Sequence, residues 1–322
     1  MNWLRWLVLV MIGLLAGCSS APVNQPAPTP TTLIAIPLAE VPAPTPTATH
    51  LMLPLVGAAD TTAQTPPLLP YRVVASYPHD PRAWTQGLIV VGPGRLFEGT
   101  GDYANSSLRE VELETGQVLR SVGLGDPALY GEGIARIGDR IFQLTWQNQR
   151  GLIYDVDTFN QIGSFIYPVP PATMPREGWG LTYDGSSLIM SDGTATLYFI
   201  DPEATVTTGQ LVIERTVTVR IGDQLRDRLN ELEYINGAIF ANVWYSDQIV
   251  RIDPNTGQVT GILDLSGLLS PTERAAADVL NGIAYDPERG LIYVTGKYWP
   301  RLFAIALEQT MYLPLVSNSE GQ

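Results

Sequence analysis

The sequence predicts an all-β fold, a five-bladed β-propeller, because one strand pattern occurs five times along it. Each occurrence is a short apolar strand, a polar turn that carries Gly, and a second apolar strand, followed by a third strand such as LIYDVDTF or RLFAIAL. The five segments are QGLIVVGPGRLFEGTG from Gln86, EGIARIGDRIFQLTW from Glu132, WGLTYDGSSLIMSDG from Trp179, NELEYINGAIFANVW from Asn230 and NGIAYDPERGLIYVTGK from Asn281. Their starts lie about 46 to 51 residues apart, which suits one four-stranded antiparallel blade per repeat.

Helical periodicity is sparse by comparison. Only residues 223–234 and 272–280 are compatible with a short helix. A further strand around residues 72–77 precedes the first repeat, and its position predicts that it closes the ring by joining the last blade.

The N-terminal residues resemble the signal of a bacterial lipoprotein. Residues 1–17 carry one basic residue, Arg5, and an apolar run that is shorter than the about 20 residues needed to span a bilayer. LAGC, which ends at Cys18, resembles a lipobox and implies that Cys18 is lipidated, so that the protein is extracytoplasmic and anchored to a membrane. An ordinary cleaved signal peptide is the alternative. Cys18 is the only cysteine, so the sequence predicts neither a disulfide nor a thiol nucleophile in the folded part.

The segment between this signal and the repeats is rich in Pro and Thr. Twelve of the 26 prolines lie between Ala21 and Pro70, a composition that favours extended chain and cannot bury a core. Residues 18–70 are therefore predicted to be a disordered linker, residues 71–310 the propeller, and residues 311–322 a C-terminal tail.

The charge balance is acidic. The chain carries a net charge of −13, and removal of Arg5 with the signal leaves 18 basic and 32 acidic residues, a net charge of −14. This argues against nucleic acid as a partner, because binding to nucleic acid depends on basic patches.

We expect a monomer.

Equivalent positions of the five repeats predict a pocket. The first strand of each propeller blade lines the central channel, so the starting residues of the repeats form a ring at one mouth. This first column consists of Gln86, Glu132, Trp179, Asn230 and Asn281. A second column, at the end of the next strand, consists of Gly101, Trp146, Gly193, Trp244 and Lys297.

The contents of these columns indicate function more than packing. Lys297 is the only lysine in the chain. Three of the five Trp residues outside the signal lie in the columns, and the other two, Trp84 and Trp299, lie two positions from Gln86 and Lys297. Core packing between blades is the alternative for each Trp.

The residues available exclude several kinds of chemistry. With only two histidines, His50 in the linker and His79 in a turn, the chain has no multi-histidine zinc site, and a Ser-His-Asp triad is not supported. It also lacks a phosphate-binding loop and a dinucleotide fingerprint. A single Glu among tryptophans suits a proton shuttle, because loss of solvation raises its pKa towards the working pH.

Eight short motifs together resemble a known family. They are WTQGL at 84–88, YGEGI at 130–134, LTW at 144–146, EGWGL at 177–181, LNELEY at 229–234, NVW at 242–244, LNGIAYD at 280–286 and VTGKYWPRLF at 294–303. This set, which spans about 75–307 and all five repeats, resembles the plant and bacterial type of glutaminyl-peptide cyclotransferase. The resemblance implies a five-bladed propeller that converts N-terminal glutamine of peptides or proteins to pyroglutamate and releases ammonia. No cofactor is expected, because the attacking amine and the electrophile belong to one molecule.

The resemblance also implies roles for individual residues. Glu132 corresponds to the catalytic glutamate, which would accept the proton of the substrate amine and return it to the leaving nitrogen. The aromatic pocket would be Trp146, Trp179 and Trp244, with Trp84 where relatives are expected to have Phe, and the polar contacts would be Gln86, Asn230 and Lys297.

Three finer expectations accompany these roles. Lys297, with Gln86 or Asn230, is expected to stabilise an oxyanion. Gly131 and Gly133 are expected to let the substrate approach Glu132 closely. Asn281 is expected either to contact substrate or to cap a turn.

Two other functions fit the same columns. A calcium-dependent lactonase or esterase of the propeller type would use Glu132, Asn230 and Asn281 as oxygen ligands, although neither column contains Asp and Lys297 would repel a cation. A non-catalytic propeller would bind peptides or sugars in the same aromatic mouth.

Overall fold

The computed structural model describes residues 65–167 and 175–308. The predicted signal peptide 1–17, the lipidation site Cys18, most of the linker 18–70 and the tail 311–322 lie outside the described residues, so their assignments stay predictions.

Within these ranges the chain forms five four-stranded antiparallel sheets and one small two-stranded hairpin. Blade 1 consists of β2 (Thr85–Gly92), β3 (Arg95–Thr100), β4 (Ser107–Glu112) and β5 (Val118–Gly123), and blade 2 consists of β6 (Gly131–Ile137), β7 (Arg140–Thr145), β8 (Arg150–Asp155) and β9 (Gln161–Ile166). Blade 3 consists of β10 (Leu181–Tyr183), β11 (Leu188–Ser191), β12 (Thr196–Ile200) and β13 (Ile213–Thr218), and blade 4 consists of β16 (Leu229–Ile235), β17 (Ala238–Val243), β18 (Gln248–Ile252) and β19 (Val259–Asp264). Blade 5 consists of β20 (Leu280–Asp286), β21 (Leu291–Gly296), β22 (Arg301–Leu307) and β1 (Tyr71–Pro78). The hairpin is β14 (Arg220–Ile221) with β15 (Gln224–Leu225). The strands β2, β6, β10, β16 and β20 contact one another around a closed ring, which confirms the predicted five-bladed propeller.

The ring closes through a strand from the other end of the sequence. Strand β1 pairs antiparallel with β22, from Tyr71 opposite Leu307 to Pro78 opposite Arg301. Blade 5 therefore combines three strands from the end of the described chain with one from its beginning, as the sequence predicted for residues 72–77.

Apolar side chains fill the spaces between the blades. The described residues form five buried clusters, each of which joins two neighbouring blades. Between blades 1 and 2, for example, Phe97 and Leu108 pack with Ile134 and Ile141. Burial of each such side chain contributes roughly 1.5–3 kcal/mol, so apolar contacts between blades stabilise the closed ring.

Glycines let the inner strands come close to one another. The residue after the first-column position is Gly in four blades, namely Gly87, Gly133, Gly180 and Gly282. A Cβ on Gly133 would lie only 2.6 Å from the backbone oxygen of Trp179, and one on Gly87 only 2.6 Å from the backbone nitrogen of Ile134.

The expectation that the glycines beside Glu132 open a path for substrate is therefore wrong. Backbone of blade 3 fills the space beside Gly133, and a Cβ on Gly131 would lie 2.8 Å from the backbone oxygen of Thr100 in blade 1. Both glycines serve the packing of the inner ring.

Two short helices lie outside the blades, α1 (Pro202–Thr208) and α2 (Pro271–Ala276). Helix α2 confirms the first half of the helix predicted at 272–280. Helix α1 was not predicted, although its sequence carries the usual signals: Asp201 caps it, Pro202 begins it and Gly209 ends it. No helix within the described ranges is both long and apolar enough to cross a bilayer.

The helix predicted at 223–234 is wrong, because this segment contains β15 and most of β16. Tertiary contacts decide the outcome: Glu231 accepts a hydrogen bond from the backbone of Ile283 and Glu233 accepts one from Tyr285, at 2.8 Å and 2.9 Å. Side chains two residues apart point to the same face only in a strand.

A buried polar network reinforces the junction of blades 5 and 1. Glu98, which is 1% exposed, accepts hydrogen bonds from Thr85 and Arg109 and is bonded to His79. The other ring nitrogen of His79 lies 2.6 Å from the backbone oxygen of Trp299. Burial alone would raise the pKa of Glu98, but Arg109 and His79 lower it to about 2, so the carboxylate is charged and paired.

Replacement of Arg109 tests how much this network stabilises the fold. Arg109→Met leaves the buried carboxylate of Glu98 without its guanidinium, and we expect the free energy of unfolding in urea to fall by about 3–5 kcal/mol. The double variant Glu98→Gln/Arg109→Met removes the uncompensated charge and should regain part of that loss. An Arg109→Met variant that unfolds at the same urea concentration as the wild type would contradict this role.

Candidate active site

One cavity of about 150 Å³ lies where the two sequence columns meet. Its lining residues are Trp84, Gln86, Tyr130, Glu132, Trp146, Trp179, Asn230, Trp244 and Lys297. The structure thus brings together eight of the nine residues that the sequence singled out for the pocket. The ninth, Asn281, lies behind the cavity wall, and Tyr130 lines the cavity without having been predicted.

Irregularities in four inner strands turn first-column side chains out of the regular ladder. The pairing of each first strand with its neighbour shifts register in blades 1, 2, 4 and 5, and each shift includes the first-column residue: Gln86, Glu132, Asn230 and Asn281. A bulge frees a residue from the regular ladder and re-aims its side chain. The same device therefore turns a polar side chain out of the ladder in four blades.

The second column lies where each second strand ends. Trp146, Trp244 and Lys297 directly follow β7, β17 and β21 and lie at the same mouth as the first column, as the sequence predicted. The two glycines of this column make room for rings: a Cβ on Gly101 would lie 2.4 Å from the ring of Tyr130, and one on Gly193 would lie 2.8 Å from the ring of Trp179.

Glu132 is the buried carboxyl group of the cavity. It is 4% exposed, and its Oε1 accepts a hydrogen bond of 3.0 Å from Nε2 of Gln86. Burial raises the pKa of Glu132 well above its ordinary value; Lys297 opposes this and the negative charge of Glu177 adds to it. The environment thus keeps this carboxyl group protonated to a higher pH than that of an exposed glutamate.

Lys297 supplies the cation of the cavity. It is also 4% exposed, and its Nζ lies 4.9 Å from the centroid of the Trp84 ring, a cation–π geometry. Burial lowers the pKa of Lys297, while the negative charges of Glu132 and Asp278 raise it, with a net lowering.

Asn281 positions Gln86 rather than lining the cavity. Its Nδ2 donates to the backbone oxygen of Thr85 at 2.9 Å and to Oε1 of Gln86 at 3.1 Å. Because the oxygen of the Gln86 amide is held in this way, its nitrogen faces Glu132. Asn281, Gln86 and Glu132 form one chain of hydrogen bonds that fixes the carboxyl group.

Glu177 is a part of the site that the column argument missed. Its Oε2 accepts hydrogen bonds from the indole nitrogens of Trp146 and Trp179, at 2.8 Å and 2.9 Å, and its Oε1 accepts one from Gln147. One carboxylate therefore orients two walls of the cavity. The sequence signal was the motif EGWGL at 177–181, but residue 177 belongs to neither column.

Tyr130 was missed for a similar reason, since it lies two positions before Glu132 in YGEGI. Its ring packs edge-on against Trp146, with 5.6 Å between the ring centroids. Burial raises the pKa of the Tyr130 hydroxyl, and the negative charge of Glu132 raises it further, so the ring is an uncharged wall.

The fold and the cavity together define a five-bladed propeller that holds a buried glutamate and a buried lysine inside aromatic walls at one mouth. Comparisons with known proteins identify the family. Residues 47–307 match the model of the glutamine cyclotransferase family, and the chain belongs to this family.

Two relatives agree with this assignment. The glutaminyl-peptide cyclotransferase of Arabidopsis thaliana is 43% identical over 241 residues, which cover 74% of this chain and 71% of that protein. The crystal structure of Myxococcus xanthus glutaminyl cyclase superposes with a TM-score of 0.64 at 35% identity and covers 76% of this chain and 98% of that one.

Proposed function

We propose that this protein is a glutaminyl-peptide cyclotransferase, an acyltransferase that converts N-terminal glutamine of peptides or proteins to pyroglutamate. The observation that carries the proposal is the carboxyl group of Glu132, buried in the cavity and bonded to Gln86, in a chain that belongs to the glutamine cyclotransferase family.

The reaction makes one bond and breaks one. The α-amino nitrogen of the N-terminal glutamine attacks its own γ-carboxamide carbon, and the bond from that carbon to the amide nitrogen breaks to release ammonia. The attacking amine must lose a proton, and the leaving nitrogen must gain one. Glu132 can do both in turn, because burial raises its pKa well above the ordinary value of glutamate, which makes the carboxylate a stronger base for the amine proton and leaves a carboxyl group that can return it.

The remaining polar groups have defined tasks. Lys297 faces the same cavity as Glu132 and stabilises the negative oxygen of the tetrahedral intermediate; such donors are worth roughly 10²–10³ in rate. Gln86 donates to Glu132 and is thereby a positioning group for the carboxyl. Oδ1 of Asn230 is buried and has no partner among the described residues, so it is available to accept a hydrogen bond from the substrate amide.

The aromatic walls supply orientation. Trp179 and Trp244 pack edge to face with 5.2 Å between their ring centroids, and Glu177 holds the indoles of Trp146 and Trp179. Rigid walls keep the glutamine side chain folded towards its own amine and exclude water, which lowers the entropic part of the barrier.

Turnover of a short peptide with N-terminal glutamine tests the function. We expect ammonia release and the matching mass loss with EDTA present, and a fall of about 10²–10⁴ in kcat for Glu132→Gln. Glu233→Gln is the matched control: this partly buried glutamate on an inner strand has its pKa raised to about 8, lies outside the cavity lining, and should keep wild-type turnover.

The same assay decides between the proposed function and its rivals. Within the described ranges no three His, Cys, Asp or Glu side chains are grouped as metal ligands. Turnover of lactones that requires added calcium would support the lactonase alternative, and binding of peptide without any product would support the non-catalytic one. Either result would overturn the assignment.

We further propose that the enzyme acts as an extracytoplasmic monomer held to a membrane through a lipid on Cys18. The support for the anchor is the sequence of residues 1–18 and the Pro- and Thr-rich linker, which suits a spacer between a membrane surface and a folded domain.

Replacement of Cys18 tests the anchor. In a bacterial host that processes lipoproteins, we expect the wild-type chain in the membrane fraction and Cys18→Ser in the soluble fraction, since only the thiol accepts the lipid. Equal distribution of the two forms would exclude lipidation at this position.

A further inference from the structure

The cavity is too small for more than one residue of a peptide. Its volume of about 150 Å³ equals that of an engineered cavity that binds benzene, roughly 150 Å³, and falls short of the about 300–1,000 Å³ of pockets for drug-sized ligands. Under the proposed function the N-terminal glutamine fills this space. The second and third residues of the substrate must then lie outside, against the mouth.

Three exposed tyrosines stand at that mouth. Tyr103, Tyr245 and Tyr298 are 48%, 68% and 38% exposed, and they are the only exposed aromatic residues in the described part of the chain. The three come from blades 1, 4 and 5. We call this group the tyrosine collar.

Each ring of the tyrosine collar rests on a ring of the cavity wall. Tyr298 packs edge-on against Trp84 with 4.9 Å between centroids, and Tyr103 packs edge-on against Tyr130 at 5.0 Å. The ring of Tyr245 lies 4.2 Å from that of Trp244, with an angle of 34° between their planes. The collar is thus continuous with the walls and extends the aromatic surface outward from the cavity.

The backbone that carries these rings adopts strained φ angles. Tyr245 and Tyr298 directly follow the second-column residues and have φ angles of 61° and 59°, and Asp102 and Ala104, on either side of Tyr103, also have positive φ. Residues other than Gly rarely adopt this conformation, and such strain concentrates at functional sites. The backbone amide of Tyr298 donates a hydrogen bond of 2.7 Å to the carbonyl of Ala83, which fixes the backbone at Tyr298 relative to the segment that leads into blade 1.

We propose that the tyrosine collar binds the second and third residues of the substrate and favours aromatic or large apolar side chains there. Exposed rings already in place can stack on such side chains without first being ordered. A glycine at the same position of the substrate leaves the collar uncovered. This inference rests on the proposed function, because it assigns the peptide that enters the cavity.

Kinetics on three substrates test the collar. They are glutamine amide, which has no second residue, and the amides of Gln-Gly-Gly and Gln-Phe-Gly. For the wild type we expect a higher kcat/KM on Gln-Phe-Gly than on Gln-Gly-Gly, and a roughly threefold to tenfold loss of this preference for each contributing ring that is removed.

Asn is the substitution of choice, since it tolerates positive φ better than most residues. The variants are Tyr245→Asn, Tyr298→Asn, Tyr103→Asn and the triple combination, each checked for a wild-type thermal unfolding transition. Ile162→Asn is the matched control: Ile162 is 56% exposed on β9, the last strand of blade 2, and its replacement should leave the preference unchanged.

The outcomes separate the collar from the reaction itself. If the wild type turns over glutamine amide but treats both peptides alike, or if the triple variant keeps the full preference for Phe, the collar inference is overturned and the proposed function stands. If none of the three substrates yields ammonia, the proposed function falls and the inference falls with it.

Discussion

The burial of one carboxyl group, that of Glu132, is the constraint on which the rest of the site depends. A glutamate at this depth is costly unless its polar atoms are bonded, and here Gln86 donates to it while Lys297 supplies the nearby positive charge. Burial raises its pKa, and under the proposed function the raised pKa is what lets one residue serve both as base and as acid. The same feature that costs stability therefore provides the chemistry.

The propeller makes this burial possible because the same strand irregularity occurs in four of its five blades. Bulged first strands aim polar side chains at a single mouth, and glycines at the following position let the inner strands approach closely. The ring must also stay closed, because Gln86 belongs to blade 1 and Lys297 to blade 5. The closure network supports both: Thr85 precedes Gln86 and donates to Glu98, and His79 bonds to Trp299, two residues beyond Lys297.

Much of the fold and of the site was predictable from the sequence, because equivalent positions of successive repeats lie close together around the channel of a propeller. The five repeats predicted the blades, and residues at equivalent positions of the repeats predicted seven members of the cavity wall. Asn281 is the exception: it holds an equivalent position, but its amide donates hydrogen bonds to Thr85 and Gln86 and does not line the cavity. Which way a side chain in a bulge turns depends on hydrogen-bond partners in other blades, and these are not visible in a periodic pattern.

Other features lay outside the sequence argument for equally physical reasons. Glu177 acts through the indoles of Trp146 and Trp179, which meet only after blades 2 and 3 have packed. The purpose of the glycines beside Glu132 was misjudged because the sequence cannot show that backbone of the neighbouring blades fills the space. The segment 223–234 is compatible with a helix by its own sequence, but hydrogen bonds from the backbone of β20 to Glu231 and Glu233 favour a strand.

The protonation state of Glu132 is the central claim, and infrared difference spectroscopy of the wild type against Glu132→Gln measures it directly across a pH titration. We predict that the carbonyl band of a protonated carboxyl group belongs to Glu132 and persists well above the ordinary range of glutamate, about pH 4.3. In Lys297→Met the ammonium that favours the charged form is gone, so the band should persist to still higher pH, whereas Lys297→Arg should resemble the wild type. A Glu132 carboxyl group that ionises in the ordinary range, or that ignores the loss of Lys297, would contradict the account.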